Sequence, residues 1–222
     1  MNQKADTAAY LQRSFSQDGE DRIVLRLFRH RRNGFYIDIG AHHPHRFSNT
    51  ALLHELGWRG INIDATPGAM EAFAAARPED TNLWMAVADR EGTIPFKVFA
   101  EGAYNSLGLG RVAPGRNGPD QGEVVEVPCA PVDAILCDHL APDQRVDLLS
   151  LDIEGFEMAV LERYPFETHA PAVVVVEDHG FDIADCAKSR VYRLLAGKGY
   201  RLRCHMLFSS VYVDDARLKQ GA

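Results

Sequence analysis

Residues 35–64 constrain the fold more than any other part of the chain. A short apolar run at residues 35–39 ends in an acid and a glycine, the pattern of a buried strand that stops at a tight turn. A helix is predicted from Thr50 to Leu56, and a second apolar run then ends at another acid, Asp64. Strand, glycine turn, helix, strand and acid together form the first half of a nucleotide-binding α/β unit.

The remainder of the chain continues this alternation of strands and helices. Further strands are predicted at residues 82–88, 93–99, 123–127, 146–152 and 172–176, and helices between several of them predict a mostly parallel sheet covered on both faces. The last two strands, at residues 200–205 and 207–213, are predicted to pair as an antiparallel hairpin at or near one edge. We therefore expect an N-terminal helical extension at residues 1–33 and an α/β domain at residues 34–222. A loop inserted at about residues 101–122 is rich in glycine and proline and is predicted to act as a lid.

Composition excludes some classes of function. The formal net charge is -7, so the chain lacks the basic field that binding to nucleic acid requires. Its four cysteines form no Cys-x-x-Cys pair, and neither an apolar leader nor a membrane-length apolar run occurs, so a reduced cytoplasmic protein is expected. A homodimer is expected only from the general frequency of such assemblies.

Acids follow four of the predicted parallel strands, at Asp38, Asp64, Asp152 and Glu177. The carboxyl ends of parallel strands share one rim, so we expect these acids to converge, although a single acid there is often only a turn former. The first turn, Asp-x-Gly-Ala-His-His-Pro, lacks the glycine pattern that cradles a diphosphate, which favours a nucleoside without phosphate such as S-adenosylmethionine. Two alternatives remain: an NAD-dependent oxidoreductase and a non-catalytic nucleoside-binding protein.

The predicted cofactor contacts gather around the first two strands. Asp64 is predicted to accept hydrogen bonds from the ribose hydroxyls, and Asp38 and the backbone of Gly40 to face the methionine end. Ser48, Asn49 and Thr50 offer small polar groups there, although they equally suit capping of the following helix. The whole predicted set is Asp38, Gly40, Ala41, Ser48, Asn49, Thr50, Asp64, Ala65, Ala88 and Asp152.

Five short segments, together with Asn-Ser-Leu at residues 105–107, carry a recognisable combination of residues. They are residues 16–21, 36–41, 48–50, 57–64 and 147–157, of which the last contains Asp-Ile-Glu-Gly-x-Glu. Together they resemble the FkbM family of S-adenosylmethionine-dependent methyltransferases. The resemblance implies a class I, Rossmann-like methyltransferase fold with a seven-stranded sheet. It also implies methyl transfer to a hydroxyl, often on a sugar of a glycan or natural product.

Transfer to a hydroxyl requires a group that removes its proton, and Asp152, Glu154 and His179 are the predicted catalytic residues. Tyr104, Asn105 and Ser106, with Glu154, are predicted to face the acceptor. No metal is expected. If Mg²⁺ does bind, Asp152, Glu177 and Asp178 are its predicted ligands, because carboxylate oxygens suit that ion.

Overall fold

A computed structural model of the protein describes residues 12–99, 106–107 and 123–220. The strands in these ranges are β1 (Phe35–Ile39), β2 (Arg59–Asp64), β3 (Thr81–Trp84), β4 (Ala86–Val87), β5 (Gly92–Val98), β6 (Ser106–Leu107), β7 (Glu123–Ala130), β8 (Leu148–Leu151), β9 (Val173–Glu177), β10 (Arg201–His205) and β11 (Ser209–Val213). The helices are α1 (Glu20–Leu27), α2 (Ala51–Glu55), α3 (Ala69–Ala76), α4 (Val132–His139), α5 (Glu157–Arg163), α6 (Phe166–His169), α7 (Arg190–Gly197) and α8 (Asp215–Gln220). A short 3₁₀ helix (Cys186–Lys188) precedes α7.

The main sheet has seven strands in the order β10-β11-β9-β8-β1-β2-β3. The pairs from β9 to β3 are all parallel, whereas β11 is antiparallel to both β9 and β10. The predicted mostly parallel sheet with a C-terminal antiparallel hairpin is therefore confirmed. Strand β1 lies inside the sheet, which is why its sequence is apolar apart from one acid.

Because successive side chains along each strand point to opposite faces of the sheet, the core is divided into two layers. Ile37 and Ile39 of β1 belong to a cluster formed with α4, α5 and α7, whereas Tyr36 belongs to a second cluster formed with α1, α2 and Trp58. Side chains of successive strand residues point to opposite faces, so helices must cover both sides. Helix α1, from the predicted N-terminal extension, is packed in the second of these layers.

The structure corrects one predicted strand. The run at residues 82–88 does not form a single strand: β3 ends at Trp84, and after Met85 the chain leaves the main sheet to form β4. Strand β4 pairs with β7 in a separate four-stranded sheet of order β4-β7-β5-β6, which we did not predict. The apolar run continues because Ala86 is buried against Phe96, Val127 and Cys129 of this second sheet. Periodicity within one segment cannot show that two halves of it belong to different sheets.

Among the described residues, no helix is both long and apolar enough to cross a bilayer. Most of the predicted insertion at residues 101–122, including Tyr104 and Asn105, lies outside the described residues. Only the backbone of residues 106–107 is described there, where β6 pairs antiparallel with β5.

Candidate functional site

Four neighbouring strands of the main sheet carry the predicted acids at or beside their carboxyl ends. Asp38 is the penultimate residue of β1, Asp64 ends β2, Asp152 follows β8, and Glu177 ends β9. The order β9-β8-β1-β2, with every pair parallel, brings these ends to one rim. Acids that are far apart in the sequence therefore occupy a single edge of the sheet.

Asp38 lies under the loop that follows β1 rather than at an open surface. Its carboxylate is buried and accepts a hydrogen bond of 2.7 Å from the Thr50 hydroxyl. Burial raises the pKa of Asp38, against the opposing effects of the Thr50 hydrogen bond and the nearby Arg77 guanidinium. Asp38 thus ties the loop to β1, and its observed partners are protein groups.

Arg77, at the end of α3, is the principal residue of this region that the sequence analysis overlooked. It is 1% exposed, and its guanidinium donates to the Thr50 hydroxyl at 2.8 Å, to the Ser48 hydroxyl at 3.1 Å and to the Pro44 carbonyl. The same guanidinium reaches the Tyr36 hydroxyl at 3.2 Å. In the sequence, Arg77 directly precedes Pro78, and that position indicates only the end of a helix. Ser48 also accepts the N–H of Ala51, the first residue of α2, so Ser48 and Thr50 serve the capping alternative.

Asp64 is fixed in place by backbone groups from both sides. Its carboxylate accepts the N–H of His42 at 2.8 Å and the N–H of Thr66 at 2.7 Å. Each carboxylate oxygen has two acceptor positions, so two further hydrogen bonds can be accepted. The neighbouring Gly40 and Ala41 donate their N–H groups to the Ile63 carbonyl, at 2.9 and 3.1 Å. The predicted glycine turn therefore uses these two donors within the protein.

A large aromatic side chain stands next to Asp64. Trp84 pairs with Asp64 in the β2–β3 register, is 45% exposed, and donates its indole N–H to the Ala65 carbonyl at 3.0 Å. Ala88, a predicted cofactor contact, donates its N–H to the Ala130 carbonyl at the junction with the second sheet. At this end of β3, the exposed part of Trp84 therefore places an apolar surface next to the carboxylate of Asp64.

The turn after β8 is held by a carboxylate of its own. Glu157, the first residue of α5, accepts the N–H groups of Ile153 and Gly155, both at 3.0 Å. Within that turn Glu154 adopts a left-handed backbone with φ of 54°, which is uncommon for a non-glycine residue. His42 and Phe47, in the loop after β1, also have positive φ, at 55° and 56°. Backbone strain of this kind is concentrated at functional sites. The loop after β1 and the turn after β8 are therefore candidates for parts of a functional site.

The side chains of Glu177 and His179 contact each other at the end of β9. The distance from His179 Nε2 to Glu177 Oε1 is 2.9 Å, and the Glu177 side chain is 10% exposed whereas that of His179 is 42% exposed. The pKa of Glu177 is raised by burial, then by the charges of Asp152 and Glu154. The pKa of Asp152 is also raised, first by burial of its carboxyl and then by the charge of Glu154. Asp152 as a whole is an exposed residue, but neighbouring protein crowds its carboxyl, which is why desolvation is the larger cause.

A cleft brings these strand ends together with parts of the chain that we had not assigned to the site. Asp152 and Glu177 line it, and Asn49 joins them from the loop after β1. Asn49 donates to the Ser150 hydroxyl at 3.2 Å, which directs it toward the end of β8. The other lining residues come from the segment before α1, from α1, from the loop after β1 and from the last hairpin: Gln17, Asp18, Glu20, Phe47, Phe208 and Ser209. Residues 16–21 contributed to the family resemblance, but neither periodicity nor spacing assigned them to this cleft, because the contact depends on how α1 packs.

One predicted metal ligand is directed elsewhere. The Asp178 carboxylate accepts a hydrogen bond of 2.5 Å from the Ser189 hydroxyl, which caps α7. The groups of described residues that come close enough to share an ion are instead Asp152, Glu157 and Glu177, and Glu154, Glu177 and His179. Asp178 follows Glu177 directly in a strand-like segment, so the two side chains point in different directions. Asp178 therefore belongs to neither group, and its conditional prediction as a metal ligand stays a prediction.

Comparison with known proteins connects this geometry to a family. The family model described as methyltransferase FkbM domain matches residues 38–202, well over half of the 222 residues. The match runs from β1 into β10 and includes all four acids of the rim. A search of curated proteins finds no match to the chain.

Proposed function

Because the chain belongs to the FkbM methyltransferase family, we propose that it transfers a methyl group from S-adenosylmethionine to a hydroxyl group of a small acceptor, a sugar of a glycan or natural product. The observation that carries this proposal is the row of acids along β9-β8-β1-β2, at the rim where open α/β sheets bind ligands. The turn after β1 has no glycine-rich cradle for a diphosphate, which favours an adenosyl ligand over a dinucleotide.

The adenosyl end of the cofactor is assigned to the carboxyl ends of β2 and β3. Asp64 is fixed by the two amides that it accepts and has two acceptor positions left for the ribose diol. Trp84 and Ala65 lie next to it and supply apolar surface for the adenine. A buried, oriented carboxylate discriminates in favour of a diol because hydrogen bonds to a charged acceptor are the stronger kind.

The methionine end is assigned to the space between the loop after β1 and the turn after β8. Asn49 and Asp152 line the cleft there. Arg77 fixes the loop through Pro44, Ser48 and Thr50, so we assign Ser48, Thr50 and Asp38 a positioning role. Gly40 and Ala41 contribute by shaping the turn, since their N–H groups bond to Ile63.

The acceptor is assigned to the other side of Asp152, next to Glu154 and His179. Its hydroxyl oxygen attacks the methyl carbon, the bond from that carbon to sulfur breaks, and the sulfonium becomes a neutral thioether. The hydroxyl proton passes to a base among Asp152, Glu154 and His179, and His179 is oriented by Glu177 and is accessible to an acceptor. Phe47 and Phe208 supply apolar walls for a sugar face.

Isothermal titration calorimetry with S-adenosylhomocysteine, the demethylated product, tests the cofactor assignment. Wild-type protein is expected to bind it, and Asp64→Asn to bind about 10- to 100-fold more weakly, because a charge-assisted bond to the ribose is lost while the shape is kept. Asp143→Asn, at an exposed turn, is the matched control and is expected to bind normally. Equal affinity in the two variants would show that Asp64 does not hold the ribose.

The same titration separates the alternative functions. Binding of NAD in preference to S-adenosylhomocysteine would overturn the proposal in favour of an oxidoreductase. Binding of S-adenosylhomocysteine without methyl transfer to any hydroxyl acceptor in a panel of sugars and glycosides would support a non-catalytic nucleoside-binding protein. For the chemistry, His179→Ala is expected to keep cofactor affinity and lose most of its turnover, since a positioned base contributes about 10²- to 10⁴-fold.

A further inference from the structure

Four carboxylates and one imidazole gather between the turn after β8 and the end of β9. Two sets of three can each bring one ligand atom per residue to within 4.8 Å of the others: Asp152 with Glu157 and Glu177, and Glu154 with Glu177 and His179. Glu177 belongs to both sets. A mixture of oxygen ligands and one imidazole is a donor set that divalent cations such as Mn²⁺ accept.

Glu177 gives a separate indication that a ligand belongs here. Its side chain is 10% exposed, and no N–H or O–H group of a neutral or cationic side chain or of the backbone among the described residues donates to its buried Oε2 atom, whereas the Asp152 carboxyl lies within hydrogen-bonding reach of Glu177. The other oxygen of the same carboxylate receives His179 Nε2. Buried polar atoms are almost always satisfied, and an unsatisfied carboxylate oxygen is especially unfavourable. Since Glu177 also lines the cleft, the unsatisfied oxygen belongs to a carboxylate that a ligand can reach.

The charge balance of the cluster points to a cation as that ligand. In the part of the chain that the structure describes, no lysine or arginine forms an ion pair with Asp152, Glu157 or Glu177. The cleft adds two further acids, Asp18 and Glu20, and no basic residue lines it. Carboxylates this close together repel one another unless a proton or a cation lies between them.

We propose that Glu177 anchors a divalent-cation site, with Asp152 and Glu157 on one side of it and Glu154 and His179 on the other. Two features prearrange the donors: Glu157 is fixed by the Ile153 and Gly155 amides, and Glu177 is held at the end of a central strand. The site revises the sequence-based expectation of no metal. Its existence is independent of the proposed function, since a cation can bind with neither cofactor nor acceptor present.

Where the proposed function also holds, the cation lies beside the acceptor. A divalent ion that contacts the acceptor hydroxyl lowers the pKa of that hydroxyl and orients it, which are established contributions of metal ions to catalysis. This consequence rests on the proposed function, whereas the binding site does not. The two are therefore tested by different measurements.

Titration of the chelator-treated, full-length protein with Mn²⁺, followed by electron paramagnetic resonance, tests the site. Bound Mn²⁺ loses the sharp signal of the free ion, so the wild-type protein is expected to remove about one ion per chain with a dissociation constant below about 1 mM. Glu177→Gln is expected to bind at least about tenfold more weakly, because it removes the charge of the shared ligand. Glu162→Gln, an exposed acid of α5 paired with Arg190, is the matched control and is expected to bind as wild type.

Further variants keep the test decisive if Glu177→Gln does not fold. His179→Ala removes a half-exposed ligand from one set only, and it is expected to weaken Mn²⁺ binding by a smaller factor. Mn²⁺ is also expected to raise the melting temperature of wild type and Glu162→Gln, since a ligand that binds only the folded state stabilises it. The proposal would be overturned if the wild type took up no Mn²⁺. It would also be overturned if a folded Glu177→Gln bound Mn²⁺ as tightly as the wild type. If Glu177→Gln does not fold, unchanged affinity in His179→Ala would overturn it instead. Normal binding of S-adenosylhomocysteine in the same samples would show that the cofactor assignment stands regardless.

Discussion

At the scale of single residues, Arg77 does most to hold the candidate site in place. It is a fully buried cation whose guanidinium bonds to the loop after β1, through Pro44 and Ser48, and to the hydroxyls of Thr50 and Tyr36. The side-chain links from the guanidinium to two buried acids run through hydroxyl groups: Thr50 connects it to the Asp38 carboxylate, and Tyr36 connects it to the Asp80 carboxylate. A buried cation with this many partners determines where the loop lies, although Arg77 itself is not assigned to contact the cofactor or the acceptor.

Replacing Arg77 by methionine is expected to destabilise the protein by about 3–5 kcal/mol, because buried hydroxyls and the Pro44 carbonyl lose their donor and the nearby Asp38 loses a compensating charge. The free energy of unfolding from urea titration measures the effect. Arg32→Met, at an exposed position, is the control and is expected to change stability by less than about 0.5 kcal/mol. Similar values for the two variants would show that Arg77 does not hold the loop.

At the scale of structural elements, the turns after β1 and β8 are packed against each other. Gly40 has φ of 79°, and a Cβ atom placed on it would lie 1.7 Å from the Asp152 carbonyl oxygen. The sequence analysis assigned this glycine to a tight turn and a close ligand. The structure shows that the close neighbour is protein backbone. The glycine therefore sets the spacing between the turn after β1, whose His42 N–H bonds to Asp64, and the turn after β8, which contains Asp152.

Gly40→Ala is therefore expected to destabilise the protein by about 2 kcal/mol or more, through positive φ combined with a clash against backbone that cannot rotate away. It is also expected to weaken binding of S-adenosylhomocysteine, because Asp152 must move. Gly180→Ala is the control, since no atom lies within 4 Å of the position of its Cβ and its φ is not in the left-handed region. Thermal unfolding and calorimetry measure the two effects. A Gly40→Ala variant as stable as Gly180→Ala would contradict this explanation.

At the scale of the whole molecule, the two ends of the main sheet carry acids with different partners. Asp147, at the amino end, is paired with Arg31 and Arg145 and accepts the N–H of Phe35, so its charge is compensated. At the carboxyl end, no arginine or lysine among the described residues pairs with Asp152 or Glu177, although His179 contacts Glu177, and burial together with neighbouring carboxylates raises the pKa of each. This asymmetry distinguishes the rim to which we assign the function from the opposite rim.

The two tryptophans report on which end of the sheet the cofactor occupies. Trp58 is fully buried immediately before β2, whereas Trp84 is 45% exposed beside Asp64 at the opposite end. Saturation with S-adenosylhomocysteine is expected to change the emission of Trp84 and to leave that of Trp58 unchanged. In Trp84→Phe most of the fluorescence change should therefore disappear, while calorimetry still detects binding. An undiminished fluorescence change in Trp84→Phe would place the adenine elsewhere.

Much of the fold followed from local pattern. Apolar runs that end in acids, with helical segments between them, were sufficient to predict the parallel sheet, its covering helices and the final hairpin. The family was recognisable for the same reason, since its segments lie in the strand ends and turns, where residue type is set by local geometry. The split at Met85 was missed, because an apolar segment has the same pattern whichever sheet it joins.

The sequence by itself determined that acids end the parallel strands, because each strand and its turn are encoded within about ten residues of one another. Only the tertiary structure decided what those acids contact. Thr50 is bonded to Asp38, Arg77 lies beneath the loop, Gln17 and Asp18 reach the cleft, and Glu177 rather than Asp178 faces the cluster. These contacts join residues that are distant in the chain, and they depend on how helices and loops pack over the sheet. No spacing along the sequence specifies that packing.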